Sequence, residues 1–109
     1  MKAIINQLEL IAKILRIIDF KISLTGKPIL TILLSHTSEQ IEDGQLRQVT
    51  LNIVAKIVGN DALVYKDKIH KMILAKGFLK TPKLGFKNVV FHINHITEFN
   101  HKGIENGTK

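Results

Sequence analysis

The sequence contains no cysteine and no tryptophan, and only two of its 109 residues are proline. Without cysteine the chain can form neither a disulfide framework nor a cysteine-based zinc site. This composition suits a reducing compartment, and we expect a cytoplasmic protein. An apolar start at residues 1–5 is interrupted by Asn6, Gln7 and Glu9, so we expect no secretory signal. No apolar run approaches the roughly 20 residues of a membrane-spanning helix, and we expect no membrane partner.

Acidic residues are also scarce, because nine aspartates and glutamates stand against 16 lysines and arginines. The formal net charge of +7 favours binding to polyanions through the release of condensed counterions. The same charge could serve solubility alone. Several basic residues fall in predicted loops, which favours the first interpretation, and we expect nucleic acid as the partner.

A chain of this length is expected to form one domain. Hydrophobic residues make up 45% of it, which is enough for a core, although so small a domain buries only a modest share of its surface. Burial against a second copy of the chain would add stability. We assign residues 1–99 to the folded domain and expect residues 100–109 to form a polar, disordered tail.

The first apolar segment, residues 6–23, satisfies two periodicities. Helical spacing is found at Leu8, Ile11, Leu15 and Ile18, and strand alternation at Leu8, Leu10, Ala12 and Ile14. The density of isoleucine favours a strand, because β-branched side chains lose rotamer freedom in helices. The pattern alone leaves helix and strand open.

The rest of the chain predicts four further strands, at residues 29–37, 47–57, 69–79 and 88–99. Turn signals separate them at Thr25-Gly26-Lys27-Pro28, Glu42-Asp43-Gly44 and Thr81-Pro82-Lys83-Leu84-Gly85. Residues 59–68 form a longer connector with a short helical turn at residues 61–65, and Gly77 is expected at a bulge or close-packing point. Five strands with one longer connector are the strand count of an OB-fold, which SH3-like barrels and other small β folds share.

Alternation assigns faces to two of these strands. In residues 47–57 it predicts a core face of Val49, Leu51, Ile53 and Ala55, and a largely solvated face of Gln48, Thr50, Asn52 and Val54. In the last strand it predicts His92 and His95 on opposite faces. With His36 they are the histidines that could suggest a metal site, but we expect structural or dimer-contact roles and no metal.

No group of residues predicts catalysis. The nearest carboxylates, Glu39, Glu42 and Asp43, lie on a predicted turn without an apolar pocket to raise a pKa. The sequence has no Walker-type phosphate loop and no nucleophile elbow. We therefore expect a binding protein without cofactor and not an enzyme.

Several short motifs occur together along the chain. They are Asn6-Gln7-Leu8-Glu9-Leu10, a Ser-x-x-Gly-x-Pro turn at residues 23–28, Leu34-x-His36-x-Ser38-x-Gln40-x-Glu42-x-Gly44 followed by Arg47-Gln48, Gly77-Phe78, Val89-Val90-Phe91-His92 and Ile96-Thr97-Glu98-Phe99. By these motifs, residues 6–99 resemble the bacterial primosomal replication protein N (PriB) family, relatives of single-stranded DNA-binding protein (SSB). The string from Leu34 to Gln48 is the most specific part.

The resemblance implies an all-β OB-fold, a five-stranded and partly open Greek-key barrel, which begins with a long, bent first strand. It implies a homodimer that binds single-stranded DNA non-specifically and assists primosome assembly in replication restart. The implied protein partners are the primosomal helicase PriA and, in some bacteria, DnaT.

The resemblance also implies roles for individual residues. Arg47 matches an arginine that the family uses for DNA, with an ion pair to Glu42 or Asp43 as the alternative. Arg16 and Lys21 match basic positions of the first-strand region, for which a solvated face is the alternative. Three lysines lie on or beside the hairpin that the family uses to clamp DNA, where lysine could instead protect a strand edge. These are Lys80, Lys83 and Lys87.

Two positions depart from the family pattern. Thr50 stands where a family member has a tryptophan for base stacking, and Gln45 stands where it has a phenylalanine. Stacking of a base on an aromatic ring contributes roughly 1–3 kcal/mol, so binding weakens unless other rings take over. Phe86, beside the tip of the last hairpin, and Phe20, in the first-strand region, are the candidate replacements.

Two other functions stay open on the sequence. A relative that lost its stacking rings could act mainly as an adaptor of the primosome with weak DNA binding. An OB-fold domain could also bind RNA, since the fold serves both nucleic acids.

Removal of residues 101–109 is expected to leave the dimer intact, because this polar tail has little apolar surface to contribute to an interface. Sedimentation of the full-length and truncated chains measures this. A truncated chain that sediments as a monomer at a concentration where the full chain is dimeric would place part of the interface in the tail.

Overall fold

The computed structural model describes residues 4–82 and 88–100. In it the alternating apolar segments form five strands, and one short helix lies between the third and the fourth. These elements are β1 (Leu8–Ile22), β2 (Pro28–Glu42), β3 (Gln45–Val58), α1 (Asn60–Tyr65), β4 (Met72–Lys80) and β5 (Val90–Glu98). The helical alternative for the first segment is wrong, because β1 pairs with β4 through its first half and with β2 through its second half. The short helical turn expected after the third strand is confirmed as α1.

The strands form a barrel in the order β1-β2-β3-β5-β4. All neighbours are antiparallel except β3 and β5, whose parallel contact consists of three residue pairs, Ala55–Phe91, Lys56–His92 and Ile57–Ile93. This contact, here called the seam, closes the barrel, whereas the resemblance implied a partly open one. The five-stranded all-β barrel expected from the sequence is confirmed.

The core fills the barrel with aliphatic side chains and one phenylalanine. Every strand contributes, as shown by Ile14, Ile32, Ile57, Ile73 and Phe91, all at most 2% exposed. The helix α1 adds Ala62 and Tyr65 to the same cluster. No polar side chain is buried among the described residues 4–82 and 88–100, so the chemistry of this part of the protein lies on its outer surface.

The first strand is bent, as the resemblance implied. Its pairing with β2 shifts register between Ile14 and Arg16 and again between Ile17 and Asp19, and such irregularities bend a strand. Before β1, the Asn6 side chain forms two hydrogen bonds with the backbone of Leu79, at 2.8 and 3.0 Å. The amide therefore continues the ladder between β1 and β4 beyond its last backbone pair.

The hairpin of β2 and β3 extends beyond the barrel as an arm, which we define as residues 37–50. Its two-residue turn has positive φ at Asp43 (52°) and Gly44 (73°), as a tight hairpin turn requires. The strand predicted at residues 29–37 is therefore five residues too short at its end. The predicted core face of β3 is wrong at Leu51, which is 37% exposed, because the core begins only where the hairpin joins the barrel.

The strand β4 approaches β5 most closely at Gly77. A Cβ atom at this position would lie 1.8 Å from the carbonyl oxygen of His92, and the register with β5 shifts between Lys76 and Gly77. The expected bulge or close-packing point is confirmed. The shift also corrects the prediction for the two histidines. Because Asn94 is passed over in the pairing, His92 and His95 both point outwards and not to opposite faces.

The remaining strand limits differ modestly from the predicted ones. Chain segment 69–71 precedes β4, and β5 begins two residues after the predicted start and ends one residue before the predicted end. The predicted basic loop falls partly on residues 83–87, and the predicted tail includes residues 101–109. Both ranges lie outside the described residues.

Replacing Gly77 with alanine is expected to destabilise the fold by about 3 kcal/mol or more, because the new methyl group meets a backbone atom that cannot turn away. Gly44→Ala is the matched control, since Gly44 has open space around it and only its positive φ to oppose a side chain. That strain is worth about 1–2 kcal/mol. Urea unfolding of both variants measures the difference, and equal losses would contradict the close approach.

Candidate nucleic-acid interface

Strand register brings three side chains into one row on the outside of the barrel. Lys56 of β3 pairs with His92 of β5 across the seam, and His92 pairs with Phe78 of β4. Lys80, two residues along β4 from Phe78, points to the same side. These four residues, Lys56, Phe78, Lys80 and His92, are here called the lysine–histidine face.

Two rings on this face form a stack. The rings of Phe78 and His92 lie 5.2 Å apart between centroids and are inclined by only 6°. Phe78 is 37% exposed and is thus within reach of a ligand. Burial, followed by the charges of Lys56 and Lys80, lowers the pKa of His92 below its ordinary value. Burial and the two lysines thus disfavour the protonated form of this imidazole.

A depression open to solvent lies beside the Lys56–His92 pair of the seam. The described residues that line it are Lys56, Lys80, Thr81, Pro82, Val90 and His92, and none of them is a carboxylate. Neither lysine forms an ion pair with an acidic residue in the described part of the chain. A concave surface with two uncompensated cations suits an anionic ligand.

Arg16 and Lys21 lie on the outer surface of β1. Arg16 pairs with Leu33 and Lys21 with Ile29, and both side chains are exposed. In the barrel order, β2 separates them from Lys56 on β3. The register places the exposed Asp19 in line with Lys56 through Thr31 of β2. Arg16 and Lys21 therefore lie on either side of an acidic residue, about two strand spacings of 4.8 Å from Lys56.

The structure does not bring Arg47 and Thr50 together. Residues separated by an odd number of positions in a strand point to opposite faces, and this holds for the pair on the arm. Thr50 lies opposite Thr37 on the face that continues to Lys56, whereas Arg47 lies opposite Gln40 on the other face. Arg47 also contacts Glu42 at 3.7 Å, with both side chains mostly exposed, which is the ion pair considered from the sequence.

The spaced polar residues of β2 form a chain of hydrogen bonds on the Arg47 face of the arm. His36 Nδ1 lies 2.7 Å from the carbonyl oxygen of Ile11, and His36 Nε2 lies 2.7 Å from Ser38 Oγ. Gln40 Nε2 donates to the same hydroxyl at 2.8 Å. A carbonyl only accepts, so Nδ1 must donate, and in a neutral ring Nε2 then accepts from Ser38.

This chain explains the His-x-Ser-x-Gln spacing. Alternate residues of a strand share a face, and His36 joins β2 to β1 just beyond Lys13–Ser35, where their ladder begins. The arrangement fits the structural role expected for His36.

Phe20 does not offer the stacking surface expected of it. It pairs with the buried Leu30 and packs against the core. The ammonium of Lys66 lies over its ring, 5.9 Å from the centroid. Lys83, Phe86 and Lys87 lie outside the described residues, so their predicted roles stay predictions.

Sequence reasoning did not single out three members of the lysine–histidine face. Lys56 was not among the residues assigned to DNA binding, His92 was assigned a structural or dimer role, and Phe78 counted only as part of the Gly77-Phe78 motif. The signal that unites them is the strand register, which places β5 between β3 and β4. That order cannot be read from spacing along the chain, because β3 and β5 are separated by more than thirty residues.

Within residues 4–82 and 88–100, no three or more histidine, aspartate or glutamate side chains are grouped to hold a metal ion. In the same part of the chain, no helix has the length and apolar character needed to cross a membrane.

In the neutral ring of His36 the proton is expected on Nδ1, because only that tautomer satisfies all three hydrogen bonds. Nitrogen chemical shifts of the imidazole, measured above neutral pH, report the tautomer directly. His95, exposed on β5, serves as the internal reference. A proton found on Nε2 of His36 would contradict the hydrogen-bond chain described here.

Comparison with known proteins agrees with this architecture. Residues 6–95 match a family described as "Another single-strand binding protein family". The replication restart protein PriB of Bordetella pertussis is 34% identical over 89 residues, which cover 81% of this chain and 83% of that protein. The PriB of Neisseria meningitidis serogroup B is 30% identical over 94 residues, covering 86% and 94%.

A solved structure confirms the OB-fold expectation. The PriB of Ralstonia solanacearum superimposes with a TM-score of 0.77 at 28% identity, covering 89% of this chain and all of that one. The sequence matches and this superposition extend over nearly the whole barrel. The chain therefore belongs to the replication restart protein PriB family, within the wider family of single-strand binding proteins.

Proposed function

We propose that the protein binds single-stranded DNA without strong sequence preference and acts as an accessory protein in replication restart. The observation that carries the proposal is the lysine–histidine face, where Lys56 and Lys80 flank a ring stack without a neutralising carboxylate among the described residues. It lies on a barrel whose relatives are replication restart proteins. The family to which the chain belongs is named for single-strand binding.

The proposed mechanism is mainly electrostatic. Lysine and arginine side chains neutralise phosphates and release counterions, which gives affinity without reading the bases. Lys56 and Lys80 contribute from the face itself, Arg16 and Lys21 would contribute from β1, and Lys83 and Lys87 would contribute from the hairpin between β4 and β5. Stacking is limited, because Thr50 and Gln45 have no rings and Phe20 is packed against the core.

The protein is further proposed to act as a homodimer in the cytoplasm, with PriA and DnaT as partners and with no catalytic step of its own. Support for self-association comes from apolar surface on β1, where Leu15 and Ile18 are 38% and 41% exposed. Ile11, Leu15 and Met72 also line one depression beside the start of the arm. Contiguous apolar surface of this kind marks protein contacts.

Anisotropy of a labelled oligo-dT of about 30 nucleotides, a length that spans the site of several OB-folds, tests the function. Salt-sensitive binding at low and moderate salt is expected. Changing Lys80, Lys83 and Lys87 together to alanine should weaken binding and lower the salt slope by about 2, since each contact with a single strand contributes about 0.7.

A charge-matched control is the triple alanine variant of Lys66, Lys68 and Lys71, which lie before the start of β4, at the opposite end from Lys80. It removes the same net charge, so a slope close to that of the unaltered protein is expected. Equal slopes for both triple variants would show that the hairpin is no clamp. No binding at either salt concentration would contradict DNA binding and favour the adaptor, and a marked preference for the ribo-oligonucleotide would favour RNA.

A further inference from the structure

The imidazole of His92 is surrounded by cationic and uncharged groups from the elements that pack against it. Lys56 faces it from β3, and Lys80 faces it from β4, where Phe78 also covers one side of the ring. Along β5, Val90 and Asn94 are uncharged, and His95, beyond the bulge at Asn94, points to the same side as His92. Among the described residues, no carboxylate lines the depression. The positive charge of Lys56 and Lys80 is thus not neutralised by any described residue around His92, and an anionic ligand could supply the counter-charge.

The geometry restricts which anion could supply that charge. The depression is open to solvent, and its walls include Thr81, Pro82 and Val90, so it admits an anionic group that belongs to a longer chain and does not enclose a small ion. A phosphodiester meets this condition, since its charge projects from a backbone that can continue across the surface. The exposed ring of Phe78 lies next to it, where a base could stack.

We infer that Lys56, Lys80 and His92 form a phosphate subsite for the nucleic-acid backbone, in which His92 takes up a proton as the phosphate binds. The two lysines attract the phosphate, and the protonated imidazole donates a hydrogen bond to one of its oxygens. The proton comes from solvent. The inference rests on the proposed function and adds to it a proton-linked contact that the sequence did not predict.

The direction of the linkage follows from the charges. In the free protein, burial and the two lysines hold the pKa of His92 below its ordinary value. A bound phosphate compensates the lysines and raises that pKa, because an opposite charge favours the protonated form. Affinity should therefore increase as the pH falls through the interval between the free and bound pKa values. At higher pH His92 is neutral in both states, and the gain disappears.

Anisotropy of oligo-dT at constant salt, measured at about pH 8 and about pH 5.5, tests the inference with three proteins. These are the unaltered chain, His92→Gln and His95→Gln, whose exposed histidine lies on the same strand beyond the bulge. On acidification, the unaltered chain and His95→Gln should gain about threefold to tenfold more affinity than His92→Gln. An identical pH dependence of His92→Gln and the unaltered chain would overturn the inference.

A second measurement needs no variant. The NMR titration of the His92 ring, with and without saturating oligo-dT, should show a higher pKa in the complex. Inorganic phosphate at the same phosphate concentration should leave the titration unchanged, and an equal shift with the free ion would overturn the assignment to a nucleic-acid backbone.

The two proposals can fail separately. Salt-sensitive binding with an unmoved His92 titration overturns the subsite and leaves single-stranded DNA binding intact. Absence of binding at every pH and salt concentration overturns both.

Discussion

The parallel contact between β3 and β5 is the constraint on which both the fold and the proposed site depend. Only three residue pairs form it, yet it closes the sheet and removes two exposed strand edges, which are otherwise prone to pair with other chains. Inside the barrel it joins Ala55 to Phe91 and Ile57 to Ile93, all of them buried. Outside, the same contact sets Lys56 beside His92. One short ladder thus contributes to the core on one side and assembles cations on the other.

The composition explains why electrostatics has to carry most of the proposed binding. The chain lacks tryptophan, and the positions at which a family member stacks bases hold Thr50 and Gln45. The ring of Phe20 packs against the core, and the ammonium of Lys66 lies over it. Phe78 is therefore the exposed ring on the lysine–histidine face. Binding that relies on phosphates and counterion release is sensitive to salt and indifferent to sequence. This is the behaviour proposed for an accessory protein that meets many different single strands.

The sequence predicted what local patterns determine, namely the strand count, the Asp43-Gly44 turn, the helical turn at α1 and the tight point at Gly77. It missed features that depend on distant pairing. The arm is longer than predicted because cross-strand hydrogen bonds sustain β2 and β3 without a core beneath them. His92 and His95 share a face because one residue is passed over at the bulge. The sequence did offer the ion pair of Arg47 with Glu42 as an alternative, and the hairpin register places the two side chains on one face.

The most direct test of the account is to map the binding surface itself. Backbone amide shifts of the isotopically labelled protein, followed during a titration with oligo-dT, report which strands the oligonucleotide touches. The account predicts the largest changes around Lys56, Lys80 and His92, with smaller ones at Arg16 and Lys21. Changes concentrated instead around Glu9 and Lys76, on the wall that β1 forms with β4, would contradict it.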